Sequence, residues 1–109
     1  MPNLQDNRVS EAGLGLAVLQ ILAATSDGTA SVEKLKKELP KYVKLSGADQ
    51  TPSETRLNEE IWEQQVRNLK SHDKVPGNVF AEGFVEPVSK GIWRITDAGK
   101  LHIKHKGLL

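Results

Sequence analysis

Apolar residues recur at helical spacing near the start of the chain. Ser10 is suited to cap a helix, and the pattern after it predicts one that ends at the turn cluster Ser26-Asp27-Gly28. Gly13 and Gly15 lower the helix propensity of this segment, so we expect close packing against a neighbour there. The apolar positions of this predicted helix are Leu14, Val18, Ile21, Leu22 and Ala23.

A second helical pattern follows a short extended segment. Thr29-Ala30 predicts a stub of strand, and Ser31 is expected to cap the next helix. Pro40 lies inside the pattern and should kink or end it, because proline lacks the amide that a helix needs. The apolar face of this helix is predicted to carry Val32, Leu35, Leu39 and Tyr42.

The third helical pattern has the clearest start signal of the chain. Thr51-Pro52-Ser53-Glu54 has the order of a capping box with proline in the first helical position, which predicts a helix over residues 52–71. Residues 44–50 before it are expected to form a loop. The apolar side of the helix is predicted to carry Ile61, Trp62, Val66 and Leu69.

After His72 the pattern changes from helical to alternating. Two short β-type runs, Phe84-Val85 and residues 92–95, predict a β-hairpin over residues 83–95. Trp93 and Ile95 should share one face of the second strand, with Ile92 and Arg94 on the other. Thr96-Asp97 is expected to cap a last short helix, with Leu101 and Ile103 as its apolar contacts.

The order of these elements predicts the fold class. A helix, a strand stub, two helices, a hairpin and a final helix indicate an α+β fold of the winged helix-turn-helix type, with a β-hairpin wing and a short C-terminal helix. We expect residues 1–9 to be a flexible tail and residues 10–109 to form one DNA-binding domain. In such a domain the third helix enters the major groove of DNA and the hairpin is the wing.

The charge distribution adds to this picture. The net charge is only +1, but residues 1–66 carry seven Lys and Arg against ten Asp and Glu, whereas residues 67–109 carry eight against four. The second segment also holds all three histidines. A basic segment is what a polyanion-binding surface requires, although an imbalance of this size also arises by chance.

Eight polar residues are predicted to contact DNA. Arginine grips guanine with two hydrogen bonds, and glutamine can pair with adenine in the same way. The outward side of the third helix is expected to face bases with Gln64, Arg67, Asn68 and Ser71. Phosphates are expected to be contacted by Lys70, Lys74, Lys90 and Arg94. The alternative is a solvated helix face, and the carboxylates Glu59, Glu60 and Glu63 weigh against a groove contact.

Other kinds of site find little support in the sequence. The chain has no cysteine, which excludes disulfides and thiolate-bound zinc. His102 and His105 are spaced for a metal, but no third ligand stands nearby, so we expect no metal and no cofactor. Nucleophile-elbow and phosphate-loop motifs are lacking, and we expect no enzymatic activity from this chain. Trp62 and Trp93 are expected to be core anchors rather than aromatic walls for a flipped or methylated base.

The sequence also gives an expectation about location. No apolar run approaches the roughly 20 residues that span a bilayer, so no membrane partner is expected. The first ten residues lack the basic start and apolar stretch of a signal peptide. We therefore expect a cytoplasmic protein.

Residues 62–100 resemble a known kind of domain. The helix residues Val66-Arg67-Asn68-Leu69 and the segment GIWRITDAG, residues 91–99, are similar to the N-terminal winged-helix domain of Mrr-type restriction systems, in versions joined to HNH-family restriction endonucleases. The resemblance implies double-stranded DNA as partner, a covalently linked nuclease domain beyond Leu109, and recognition of a methylated base such as N6-methyladenine. The chain has no HNH motif, so cleavage is not assigned to it.

Two other functions stay open at this point. A winged helix can mediate protein–protein contacts, and the near-neutral net charge and the glutamates of the third helix favour that reading. A transcription regulator is the third possibility, which would need a dimerisation surface or a ligand pocket.

Overall fold

The computed structural model describes residues 10–52 and 59–108, and within them the protein is an α+β fold. Four α-helices pack with a three-stranded antiparallel sheet. The predicted tail, residues 1–9, lies outside the described residues. In chain order the elements are α1 (Glu11–Ala24), β1 (Thr29–Ser31), α2 (Val32–Glu38) with a 3₁₀ turn (Leu39–Lys41), α3 (Ile61–Ser71), β2 (Val85–Ser89), β3 (Ile92–Ile95) and α4 (Asp97–His105).

Helix α1 forms the centre of the core. Its start is as predicted, since the Ser10 hydroxyl accepts a hydrogen bond from the Gly13 amide at 3.0 Å. The helix is apolar on nearly all sides and packs against α3, α4 and β3. Gly15 allows a close approach, because a Cβ there would lie 2.8 Å from Cγ1 of Val79. The expected close packing is confirmed at this glycine.

The sheet joins the strand stub to the hairpin. The strand order is β1-β3-β2, so β1 and β2 both pair with the central strand β3. Arg94 lies opposite Thr29 on one side and Glu86 on the other. The hairpin turn is Lys90-Gly91, where Gly91 has φ of +74°, a conformation that favours glycine. The Gly91 carbonyl accepts a hydrogen bond from the Val32 amide at 2.8 Å, which fixes the hairpin tip to the first turn of α2.

Both tryptophans are core residues, as predicted. Trp62 and Trp93 are buried, and the ring of Phe80 meets that of Trp93 edge-on with centroids 4.9 Å apart. The Trp62 indole N–H is satisfied by the carboxylate of Glu60 at 2.8 Å. Because both rings are covered, neither offers a flat face to a base.

The predicted start of the third helix is wrong. Helix α3 begins at Ile61, whereas Pro52 forms an isolated antiparallel bridge with Glu60. The Thr51 carbonyl accepts from the Ile61 amide at 2.8 Å, and the Asp49 carbonyl accepts from the Trp62 amide at 3.0 Å. Residues 49–52 therefore pair with the first turn of α3 instead of starting it. Ser53 and Glu54 of the proposed capping box lie outside the described residues.

Two apolar residues are more exposed than predicted. Tyr42 and Leu101 are both exposed, so neither serves as a core contact. Helix α4 is seated by Ile103, which is buried as predicted, and by Gly99. A Cβ at Gly99 would collide with the backbone oxygen of Phe84, so only glycine allows α4 to lie this close to the segment before β2.

Candidate nucleic-acid interface

Helix α3 is amphipathic, with one buried apolar side and one polar side. Trp62, Val66 and Leu69 are buried against the core, in agreement with the predicted register. On the rest of the helix Gln64, Arg67 and Asn68 are half-buried, and Ser71 at the last position is exposed. The four predicted base-facing residues thus lie on the polar part of α3, and two of them, Gln64 and Arg67, lie one turn apart.

The side chain of Arg67 is held by two carboxylates. Its Nε donates to Glu59, with distances of 3.0 Å to Oε2 and 3.3 Å to Oε1. Its Nη2 lies 3.4 Å from Oε1 of Glu33, on the first turn of α2. One third of the Arg67 side chain stays exposed. The guanidinium therefore spans from the segment before α3 to α2 and keeps part of its surface accessible.

These contacts belong to a larger group of charges between α2 and α3. The Lys36 ammonium lies 2.7 Å from Glu59, 3.4 Å from Glu63 and 3.5 Å from Glu33. We call the five side chains the α2–α3 charge cluster; its members are Glu33, Lys36, Glu59, Glu63 and Arg67. At its centre the Lys36 and Glu59 side chains are only 11% and 10% exposed. The pair is thus shielded from water on most sides.

The pKa values of the central pair shift as expected for an ion pair. Burial alone would raise the pKa of Glu59, but its hydrogen bonds to Lys36 and Arg67 outweigh burial and lower that pKa. Burial would lower the pKa of Lys36, but the hydrogen bond and charge of Glu59 raise it. Both groups are therefore held in their charged forms around neutral pH.

Sequence reasoning missed Lys36 and Glu33 as contacts of α3 and weighed Glu59 as a charge unfavourable to a groove contact. Lys36 follows the buried Leu35 and lies at the edge of the apolar face of α2, and Glu59 lies just before α3. Charges of opposite sign at the edges of two successive helices are the signal that could have indicated the cluster. Their pairing depends on how α2 and α3 pack, which spacing alone does not give.

Lys70 lies on the side of α3 that faces the hairpin. Its ammonium is 3.2 Å from the Asp73 carboxylate and 5.8 Å from the centroid of the Phe80 ring. A shallow groove runs from this point to strand β2; its lining includes Lys70, Asp73, Phe80, Val85, Glu86 and Pro87. The end of α3 and the first half of β2 therefore form one continuous surface.

The remaining predicted phosphate contacts differ in how they are paired. Lys74, in the turn after α3, and Lys90, at the hairpin tip, are exposed and form no ion pair within residues 10–52 and 59–108. Arg94 lies on the sheet face opposite Trp93 and donates from Nε and Nη2 to one oxygen of Glu86, at 2.9 and 2.7 Å. Glu86 and Arg94 are both about half exposed, so this pair is in contact with solvent.

A buried asparagine fixes the C-terminal end of α3. The Asn78 side-chain amide donates to the Leu69 carbonyl at 2.8 Å and to Glu11 on α1 at 3.1 Å. Its oxygen accepts from the amides of Phe80 and Ala81. His72, the C-cap of α3, lies 2.9 Å from the same Glu11 carboxylate. These contacts set where Lys70, Ser71 and Lys74 are presented.

The described residues offer neither a metal site nor a membrane-spanning helix. No group of three or more His, Asp or Glu side chains within residues 10–52 and 59–108 is placed to hold a metal. The His102 ring instead stacks on Phe84, with centroids 4.3 Å apart. Every helix within these ranges is too short or too polar to cross a bilayer.

Known proteins give no independent guide to function. No protein-family model, no curated protein and no solved structure matches the chain. The functional conclusion therefore depends on the geometry and charge of α3 and the hairpin.

Proposed function

We propose that the chain is a winged-helix module that binds double-stranded DNA, with α3 in the major groove and the hairpin along the backbone. The observation that carries the proposal is the placement of α3. One side of the helix is anchored by Trp62, Val66 and Leu69, while its polar side is only half-buried and its C-terminal end lies next to the hairpin. Arg67 and Gln64 then lie where side chains of a recognition helix meet base edges.

The connection of the elements supports the winged-helix reading. Strand β1 stands between α1 and α2 and pairs with β3, the second strand of the hairpin. This pairing places the hairpin tip beside the first turn of α2, whose Glu33 in turn contacts Arg67 of α3. The hairpin, α2 and the polar side of α3 are thus neighbours, as a shared DNA-binding surface requires.

The cations around α3 are suited to phosphate contact. Lys74 and Lys90 are exposed and can approach the backbone directly. Lys70 and Arg94 have carboxylate partners, but an exposed ion pair contributes only about 0–1 kcal/mol, so exchange for a phosphate costs little. Binding should then depend strongly on salt, because each neutralised phosphate releases counterions.

The resemblance of residues 62–100 to Mrr-type winged-helix domains extends the proposal. On that basis the module recognises the target of a restriction endonuclease whose nuclease domain is a separate part of the protein. A methylated base such as N6-methyladenine would then be read by the polar side chains of α3, because Trp62 and Trp93 are buried. No catalytic step is assigned to this chain.

The proposal is tested by titrating random-sequence duplex DNA at about 50 mM and about 200 mM salt, where a protein with several phosphate contacts loses orders of magnitude in affinity. Binding at low salt that falls steeply at higher salt is the expected result. Selection from random libraries, with and without adenine and cytosine methylation, then identifies the target. A protein that binds no duplex at low salt would contradict the proposal.

A second function, docking onto another protein, is favoured by the α2–α3 charge cluster. Its three glutamates outnumber its two cations, so this part of the surface is less attractive to phosphate than the sequence predicts. Apolar side chains are exposed elsewhere, among them Val75, Val88 and Leu101. Failure to bind DNA, together with concentration-dependent self-association in sedimentation experiments, would favour this function.

A further inference from the structure

We propose that Glu59 and Glu33 are positioning residues that hold one edge of the Arg67 guanidinium, so that its other edge grips a guanine in the major groove. The inference rests on the proposed DNA binding and deepens it, since it names the base contacted and the residues that select it. It is carried by the geometry of the α2–α3 charge cluster, in which Arg67 is a cation of α3 that keeps one third of its side chain exposed.

The N–H donors of the Arg67 guanidinium lie on more than one edge. A guanidinium has five N–H groups in a planar fork. Glu59 takes the Nε–H and Glu33 takes one N–H of Nη2, so both carboxylates occupy the same edge of the fork. The other edge, made by Nη1 and the second N–H of Nη2, has no hydrogen-bond partner among residues 10–52 and 59–108. Two parallel donors on one edge are what a bidentate contact with guanine O6 and N7 needs.

The Glu59 carboxylate, the main partner of Arg67, is itself held in place. Glu59 is held by Lys36 at 2.7 Å on the same oxygen that lies nearest to Arg67, and it is almost fully buried. The carboxylate therefore cannot follow Arg67 if the arginine swings away. An arginine that is already fixed in its binding conformation loses less rotamer freedom when it contacts a base.

The carboxylates next to Arg67 also affect whether its guanidinium contacts a base or a phosphate. A guanidinium next to Glu59 and Glu33 has its charge balanced, so its attraction to a phosphate is weak. Guanine O6 and N7 are neutral acceptors, and hydrogen bonds to them do not depend on net charge to the same degree. The two carboxylates thus disfavour contact with the backbone and favour contact with the base.

The test compares variants that differ by one charge. The target duplex is first selected from a random library with the full chain. Binding is then measured to this duplex, to versions with 7-deazaguanine at each guanine in turn, and to a scrambled duplex of the same composition. The variants are Glu59→Gln, Glu33→Gln and Arg67→Ala. Glu38→Gln is the matched control. Glu38, like Glu33, is a carboxylate of α2, but it pairs with Lys41 and not with Arg67.

One guanine should stand out in the wild type. Its replacement should weaken binding about 10-fold, as expected for one lost base contact. In Arg67→Ala this penalty should vanish. In Glu59→Gln the penalty for replacing the guanine should shrink. The same variant should bind the scrambled duplex more tightly and with a steeper salt dependence. Glu33→Gln should show both changes more weakly. Glu38→Gln should raise the affinity for all duplexes alike and keep the penalty.

Three results separate the possible failures. If Glu59→Gln and Glu33→Gln keep the full penalty, the carboxylates do not position Arg67. If no guanine stands out in the wild type, Arg67 does not grip one, and this inference fails while DNA binding stands. If no duplex binds at low salt, the proposed function itself fails. Glu33 is largely exposed, so Glu33→Gln should fold even where Glu59→Gln unfolds, and it keeps the test decisive.

Discussion

Arg67 on α3 and Arg94 on the hairpin are both paired with glutamate, yet their surroundings differ. Glu59, the partner of Arg67, is almost buried and is held a second time by Lys36. Glu86, the partner of Arg94, is about half exposed and lies directly across the strand pair. The same chemical pair is thus a fixed part of the fold in one place and an exchangeable surface contact in the other. Burial and a second partner make the difference.

The largest effect should follow the loss of the buried carboxylate. Glu59→Ala leaves Lys36 and Arg67 short of their main acceptor in a shielded position, and we expect it to lower the free energy of unfolding by about 2–3 kcal/mol. Urea unfolding followed by circular dichroism measures this. Glu38→Ala, which removes an exposed carboxylate of α2, is the control, and an equal loss in both variants would show that burial of Glu59 adds nothing.

The second largest effect should be the loss of DNA affinity when Arg67 is replaced. Arg67→Ala should weaken binding to the selected duplex by about 1–3 kcal/mol and relax the sequence preference, because a base contact is removed. Fluorescence anisotropy with matched and mismatched duplexes measures both quantities. An unchanged preference would remove Arg67 from the base-reading residues.

Lys90 should behave as a backbone contact. Lys90→Ala at the hairpin tip is expected to weaken binding to every duplex alike and to reduce the salt slope by about 1, since one phosphate contact is lost. Titrations of two unrelated duplexes over a series of salt concentrations give the slope. An unaltered slope would show that the hairpin tip does not reach a phosphate.

The pH dependence of stability should reveal the contribution of the buried pair. Since the folded-state pKa of Glu59 is lowered, its stabilising contribution is complete above its ordinary pKa of about 4.5 and is lost as the pH falls through the lower folded value. The wild type should therefore lose more stability between neutral and acid pH than Glu59→Gln does. Thermal unfolding of both proteins over this range measures the difference, and parallel curves would contradict the assignment.

The smallest effect should follow removal of the exposed partner on the hairpin. Glu86→Ala frees Arg94 and is expected to change the free energy of unfolding by less than about 0.5 kcal/mol. Affinity for all duplexes should rise slightly, because a charge that repels phosphate is gone. A loss of stability similar to that of Glu59→Ala would mean that the two pairs do not differ in the way described.

Local capping signals in the sequence predicted three helix starts correctly. Ser10, Ser31 and Thr96 each cap a helix as expected, with a hydroxyl that accepts from an amide three residues later. Such a bond lies within one turn and needs no other part of the chain. The hairpin and the buried faces of its strands follow from alternation for the same reason, since each depends on residues that are close in sequence.

Non-local contacts account for what the sequence could not predict. The signal at Thr51-Pro52 is a good one, but pairing of Thr51 with Ile61 and of Pro52 with Glu60 competes with a helix start there. The position of Arg67 on the polar side of α3 follows from helical spacing. Its partners do not, because Glu33 and Lys36 approach only when α2 packs against α3.

The bond between the Gly91 carbonyl and the Val32 amide extends the pairing of β3 with β1 into the first turn of α2. The Val32 amide is one of the first amides of α2, which have no acceptor inside the helix. A change in the turn that displaces this carbonyl would therefore weaken the start of α2. The conformation of the hairpin turn is therefore coupled to the integrity of a helix that lies far from it in sequence.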